Sequence, residues 1–388
     1  MGLMNLVKAA LVLTVVVIAM GAYTRLADAG LGCPDWPGCY GKLTVPSSKV
    51  DVEVANTLYP ERAVEPYKAW LEMIHRYLAG GLGLMVFAIT GIALAKCRDK
   101  LGTLLPVALS LVIIFQAALG MWTVTLKLMP IVVMGHLIGG FTMFSLLFFT
   151  YLKLRPKLEI RRQNTPEENL ENTSKSFEPK VVDRPISPTA LNIVSSRLKA
   201  FALLALVVTV GQIILGGWTS SNYAAVVCTA LPICEGNWTQ YLDFKTAFTP
   251  VHFGFDNYEF GVLEYPARMT IHVTHRIGAI VVALIVGMLA FRLLRYPYQA
   301  IRKLGMVVAV ILGIQLALGI SNVVFHLPLP VAVLHNLGAA LLLLSLIHTN
   351  YALRSARYIR AEKPNLTIVE ATTSIKTLKA SGDKESSL

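Results

Sequence analysis

The sequence predicts an all-α integral membrane protein, its eight transmembrane helices forming two four-helix bundles related as parallel repeats. Three observations predict it. The 388 residues are 55% hydrophobic and only 15% charged, with a mean hydropathy of +0.59, and the apolar runs reach the ~20 residues that a helix needs to cross a bilayer. Sequence motifs from the first half return in the second. Basic residues crowd into alternate loops, the pattern that sets orientation in a membrane.

The first apolar run, Leu6–Thr24, could pass for a secretory signal, with Ala27-Asp28-Ala29 as its cleavage site. That reading fails because the same stretch recurs far inside the chain. A loop over Arg25–Lys68 holds Cys33 and Cys39. Spans at Ala69–Ala95, Thr103–Thr125 and Ile131–Leu152 complete a first bundle, residues 1–152. Residues 153–198 are polar, proline-bearing and of mixed charge, the composition of a disordered linker. Further spans follow at Lys199–Thr219, Arg268–Phe291, Lys303–Val324 and Val331–Tyr351, making a second bundle, residues 199–360, with a polar tail over 361–388. The loop Ser220–Pro266 holds Cys228 and Cys234.

The halves read as copies. Thr24, Cys33, Pro37, Cys39 and Gly41 return 195 positions later as Thr219, Cys228, Pro232, Cys234 and Gly236. His75-Arg76 returns after 200 positions as His275-Arg276, and Gln116, Leu119, Gly120 and His136 after 199 as Gln315, Leu318, Gly319 and His335. Four spans per half is an even number, so both halves insert the same way up.

The net charge of +12 resides largely in orientation signals. Lys96, Arg98 and Lys100 share one loop, Arg292, Arg295, Arg302 and Lys303 another, and Arg354, Arg357 and Arg360 follow the last span. This places both termini in the cytoplasm and leaves no surplus for a nucleic-acid surface.

The chemistry lies inside the spans, where ionisable groups are costly and point to function. Each half carries two histidines, His75 with His136 and His275 with His335, on spans that run in the same direction. At about 1.5 Å per residue, His75 lies about 9 Å and His136 about 8 Å below the outer end of its span. Two imidazoles at one depth on neighbouring helices can grip a haem iron from both faces, although a lone membrane histidine can equally hydrogen-bond a neighbouring helix. Zinc would want three or four ligands. Glu72, three residues before His75, shares its helix face, and the second half has His272 at that place. That carboxylate makes the first half the candidate reactive copy; it could instead pair with an arginine.

Cys33 and Cys39, like Cys228 and Cys234, have five residues between them, a separation that a turn can bridge outside the cytoplasm. Each pair reads as a staple or as a redox couple, and no Cys-x-x-Cys-His for covalent haem attachment occurs. Arg25, Arg76, Arg268 and Arg276 near the outer ends are candidates for pairing with haem propionates, against snorkelling to the headgroups.

The run GAYTRLADAGLGCPDWPGCYG, the EMIHR motif, His136 and the repeated HR and LHN motifs resemble the haem A synthases of cytochrome oxidase assembly. The resemblance covers about Leu6–Tyr351. It implies an enzyme of the bacterial inner membrane that oxidises the C8 methyl of haem O to a formyl group by successive hydroxylations. It further implies that His275 and His335 ligate haem b as resident cofactor, that His75 and His136 bind the substrate haem, and that Glu72 is essential beside it. The electron acceptor is unidentified; direct handover from haem O synthase and a homo-oligomeric state are left open. Two alternatives are weighed. A di-haem b-type carrier serving quinones would stack its haems at different depths, and a repeat transporter would break its helices at mid-membrane.

Overall fold

The computed structural model describes residues 2–155, 159–161, 194–355 and 357–359. Eight helices among them are long and apolar enough to cross a membrane, and the protein is a multi-pass membrane protein. In chain order the helices are α1 (Leu3–Leu26), α2 (Lys49–Leu58), α3 (Pro66–Lys96), α4 (Arg98–Leu101), α5 (Leu104–Thr125) and α6 (Pro130–Leu154). They continue as α7 (Ser196–Ser221), α8 (Phe244–Ala247), α9 (Tyr265–Leu294), α10 (Gln299–Val324) and α11 (Leu329–Ser355). All but α2, α4 and α8 are membrane-spanning in length. Separately, Glu159–Arg161 pairs in parallel with Arg357–Ile359. Residues 162–193 of the expected linker and the expected tail at 361–388 lie outside the described residues.

Most long helices outrun their apolar stretch, as α9 does around Arg268–Phe291, because backbone hydrogen bonding continues until something caps it. Pro66 and Pro130 open α3 and α6, where a fixed φ and a missing N–H suit the first turn. Ser195 caps α7 by accepting from the Leu198 N–H at 3.3 Å. The short helix α2 was not expected: its Val-Asp-Val-Glu-Val reads as an alternating strand, but the Ser48 hydroxyl accepts from Asp51 N–H at 3.0 Å and starts a helix.

Packing contacts close two rings. In one, α1 meets α3, α3 meets α5, α5 meets α6 and α6 meets α1; in the other, α7 meets α9, α9 meets α10, α10 meets α11 and α11 meets α7. A core of Val7, Ala10, Val86, Ile89, Leu109 and Leu147 fills part of the first. Where the rings meet, Phe141 and Phe144 of α6 pack with Leu343 and Leu344 of α11. The outward faces stay apolar, Leu84 and Leu284 among them, as lipid requires.

Backbone detail recurs with the sequence. Asp28 and Tyr223 both take positive φ, as do Lys127-Leu128 and His326-Leu327, and Trp36-Pro37 and Leu231-Pro232 are both cis. Ala29 N–H bonds Thr24 O at 2.9 Å, and Ala224 N–H bonds Thr219 O at 2.9 Å. The turns repeat even where the residues differ, as Asp28 and Tyr223 do, so the repetition reaches local geometry.

An ion pair joins the loops of the two halves. Arg62 forks onto Glu259 with N–O distances of 2.8 and 3.0 Å, while its Nε donates to Leu31 O at 2.7 Å. Glu259 raises the Arg62 pKa, against the opposing effect of burial. The Glu259 side chain is only 4% exposed, so Arg62→Ala would strand a buried carboxylate. A loss of about 1–3 kcal/mol is expected, read as a lower melting temperature, and Arg62→Lys should recover only part of it because the fork is lost.

Candidate functional site

Each disulfide loop folds back over the helix that follows it. The chain joins Cys33 to Cys39 and Cys228 to Cys234, leaving Cys97 free. Within the first loop Asp35 accepts the Tyr40 and Gly41 N–H groups at 2.6 and 2.7 Å. The second loop reverses the direction: Glu235, at the place of Tyr40, accepts from Thr229 and Ala230 at the place of Asp35. The Thr229 hydroxyl and these N–H groups hold the Glu235 carboxyl down to about 2. Its contribution is therefore present above the ordinary carboxylate range and is lost as pH falls through about 2.

Arg76 and Arg276 are the anchors beneath these loops. Arg76 donates to the carbonyls of Asp35, Pro37 and Gly38 and pairs with Glu72 one turn back on α3. Arg276 donates to the carbonyls of Ala230, Ile233 and Cys228, and its Nε donates to His272 Nε2 at 3.0 Å. Ala230 and Ile233 are the repeat partners of Asp35 and Gly38. Two of the four arginines that were candidates for propionates thus donate to loop carbonyls, for a simple reason: a guanidinium has five donors and the loop turns offer fixed acceptors.

Glu72 is buried and its two oxygens are both engaged, one by Arg76 and the other by the Cys33 N–H at 3.0 Å. It faces the disulfide loop from the turn that precedes His75.

The histidines themselves turn inward onto glycines. His75 of α3 packs on Gly21 of α1, where an added Cβ would come 2.8 Å from the ring. His136 of α6 packs on Gly120 of α5, His275 of α9 on Gly216 of α7, and His335 of α11 on Gly319 of α10. In the sequence Gly120 and Gly319 stand out as repeat markers, and Gly21 and Gly216 match as well, at an offset of 195. Substituting Gly21→Leu should push the imidazole out of its notch and lower any haem content that depends on it, measured by pigment absorbance per chain.

The structure brings His75 and His136 together: their ring centres lie 6.4 Å apart with planes at 81°. A metal–imidazole bond of about 2 Å, with roughly one more ångström from nitrogen to ring centre, puts two axial rings about 6 Å apart across a metal. The gap therefore fits an iron held between them. Nδ1 of His75, His136 and His335 makes no side-chain hydrogen bond. Gln212 meets His275, and Gln315 meets His335. The donor set of both pairs suits a bis-imidazole haem.

Arg25 crosses to the other half, donating to Ser220 O at 3.1 Å and lying 4.0 Å over the Tyr223 ring. The Nε atoms of Arg25 and Arg268 are buried without partners, which keeps these two as candidates for a carboxylate.

Comparison with known proteins places these features in company. A family model described as COX15-CtaA, cytochrome oxidase assembly protein, matches residues 4–347. The chain is 51% identical over 348 residues to a protein of Shewanella oneidensis named heme A synthase, covering 90% of this chain and 96% of that protein. It is 27% identical over 365 residues to a heme A synthase of Granulibacter bethesdensis, covering 88% and 84% respectively. A heme A synthase of Rickettsia bellii is 24% identical over 363 residues, covering 86% of this chain and 92% of that protein.

Proposed function

The chain belongs to the COX15-CtaA family of cytochrome oxidase assembly proteins and is an enzyme that acts on haem O to make haem A; from that premise we propose how its two histidine pairs divide the work. His75 and His136 bind the substrate, haem O, and His275 and His335 hold a resident haem b. The first four spans, with residues 1–152, form the substrate bundle and residues 199–360 the cofactor bundle. The protein sits in the bacterial inner membrane with both termini in the cytoplasm, the alternation of basic loops being the support.

The observation that carries the assignment is the difference at one repeat position. Glu72 lies beside only the first pair, and His272 takes its place in the second. Oxidation of a methyl group sheds protons and develops positive charge, which a carboxylate stabilises in a low dielectric. The reaction is an oxidation of the C8 methyl to a formyl group by successive hydroxylations, and the resident haem would supply one-electron redox chemistry. The protein's own part is to clamp the substrate between His75 and His136, to keep the imidazoles on Gly21 and Gly120, and to fix Glu72 through Arg76 and the Cys33 N–H.

Mass analysis of the porphyrins copurifying with ligand variants tests this. His275→Ala and His335→Ala should lose haem B and keep haem O, and His75→Ala and His136→Ala should do the reverse. The opposite assignment of pigments to pairs would overturn the proposal, and haem B alone from every variant would favour an electron carrier.

A further inference from the structure

The first disulfide loop hangs on α3 by more than its arginine. The Tyr77 hydroxyl donates to the Leu43 carbonyl oxygen at 2.6 Å. Tyr77 belongs to an exposed face of α3 that also carries Trp70, Ile74 and Leu84 at helical spacing, the kind of face that meets lipid. A hydrocarbon core about 30 Å thick holds about 20 helical residues; counted from Lys96, the basic end of α3, that stretch reaches Tyr77. Leu43 is therefore held where acyl chains give way to headgroups, and it is 80% exposed. The loop brings no loose charge to that level: Asp35 accepts from the Tyr40 and Gly41 N–H groups, and Lys42 pairs with Asp51 of α2. α2 in turn exposes Val50, Val54 and Leu58, an apolar stripe on a helix outside the spans. The second half has no such latch. Leu43 and Tyr77 correspond there to Trp238 and Ile277, at offsets of 195 and 200, and Trp238 packs on the cluster around Cys228.

We propose that residues 36–58 are seated on the outer leaflet, with Leu43, Val50, Val54 and Leu58 among the upper acyl chains and Tyr77 as the latch. A helix with an exposed apolar stripe lies in the interface plane with that stripe immersed. Trp36, 40% exposed near the loop tip, is a residue type that favours the same zone. The partner is the acyl region of phospholipid rather than an anionic headgroup: Lys42 and Lys49 are matched by Asp51 and Glu53, which leaves no net charge to attract one. Lipid contact then bears on Glu72, because the same loop supplies the Cys33 N–H that holds one of its oxygens and the carbonyls that hold Arg76. The bilayer thus fastens the cover of that carboxylate from outside, in the first half alone.

The test uses the full chain in phosphatidylcholine vesicles, with Cys97→Ser to remove the free thiol. A nitroxide is attached at Leu43→Cys or Val54→Cys, with Leu84→Cys as the lipid reference and Lys49→Cys as the water reference, and intact mass checks that both disulfides stay closed. Collision with oxygen, which concentrates among acyl chains, is compared with collision with a nickel chelate confined to water. The oxygen-to-nickel ratio at 43 and 54 should exceed that at 49 several-fold and approach that at 84, whichever side of the bilayer is outer. Tyr77→Phe should lower the ratio at 43 and leave 84 unchanged; an unmoved ratio at 43 would overturn the latch. Replacing part of the lipid with phosphatidylglycerol should change none of these values, and a rise would overturn the acyl-chain assignment. Ratios at 43 and 54 equal to that at 49 would overturn the seat itself. Shielding of both labels from both reagents would do the same, since a protein face would then cover the stripe. Position 54 lies outside the disulfide loop, so its reading decides the matter even where Leu43→Cys disturbs the pairing.

Discussion

His75→Ala is expected to abolish haem A formation while leaving the haem of the second pair in place. Losing a partner that merely orients a ligand costs about 10–100-fold in metal affinity, and losing the ligand should cost more. His136 alone would then face the gap that now measures 6.4 Å between ring centres. Exogenous imidazole should restore part of the activity, because the notch on Gly21 that receives the ring remains. The measurements are haem A yield in membranes and absorbance of the reduced pigment. Normal haem A from His75→Ala would remove this residue from the substrate site.

Arg76→Ala is expected to have the largest effect on stability. It leaves Glu72, whose side chain is 7% exposed, without its cation, and strips the first disulfide loop of its anchor. Removing one partner of a buried ion pair costs about 3–5 kcal/mol. Arg276→Ala should cost less, because its helix partner His272 accepts from it as a neutral ring, so no charge is stranded when the guanidinium is removed. Thermal unfolding in detergent and proteolysis of the first loop would measure both. Equal losses in the two variants would show that the loop carbonyls, common to both sides, decide the matter. The conservative change Glu72→Gln keeps an acceptor for the Cys33 N–H and should retain the fold while lowering haem A formation, separating the carboxylate's chemistry from its place in the ion pair.

The spans, the repeat and the histidine pairs were legible because each is a local pattern. An apolar run announces a helix whatever packs against it, and a duplicated chain displays its anchors twice. Residues whose role is set by a distant partner were harder to read. Arg76 and Arg276 look like free cations near a helix end, and only the folded loops reveal the carbonyls that claim them. Gly21 and Gly216 look like ordinary glycines of a membrane helix until an imidazole rests on each. Arg62 and Glu259 sit in loops without a pattern, so nothing in their neighbourhoods hints that they meet.

That meeting also bears on how a duplicated chain avoids confusing its own parts. Lipid tails are as apolar as the Phe141, Phe144, Leu343 and Leu344 seam, so the seam alone gives membrane helices little reason to prefer one neighbour over another. At the offsets of 195 and 200 that flank these loops, Arg62 corresponds to Asn257 or Val262, and Glu259 to Val64 or Tyr59. Two first halves from neighbouring molecules would set arginine opposite Tyr59 or Val64, and two second halves would set glutamate opposite Asn257 or Val262. The fork thus acts as a polarised key, admitting only the unlike pairing and so guarding against swapped assemblies of near-identical pieces.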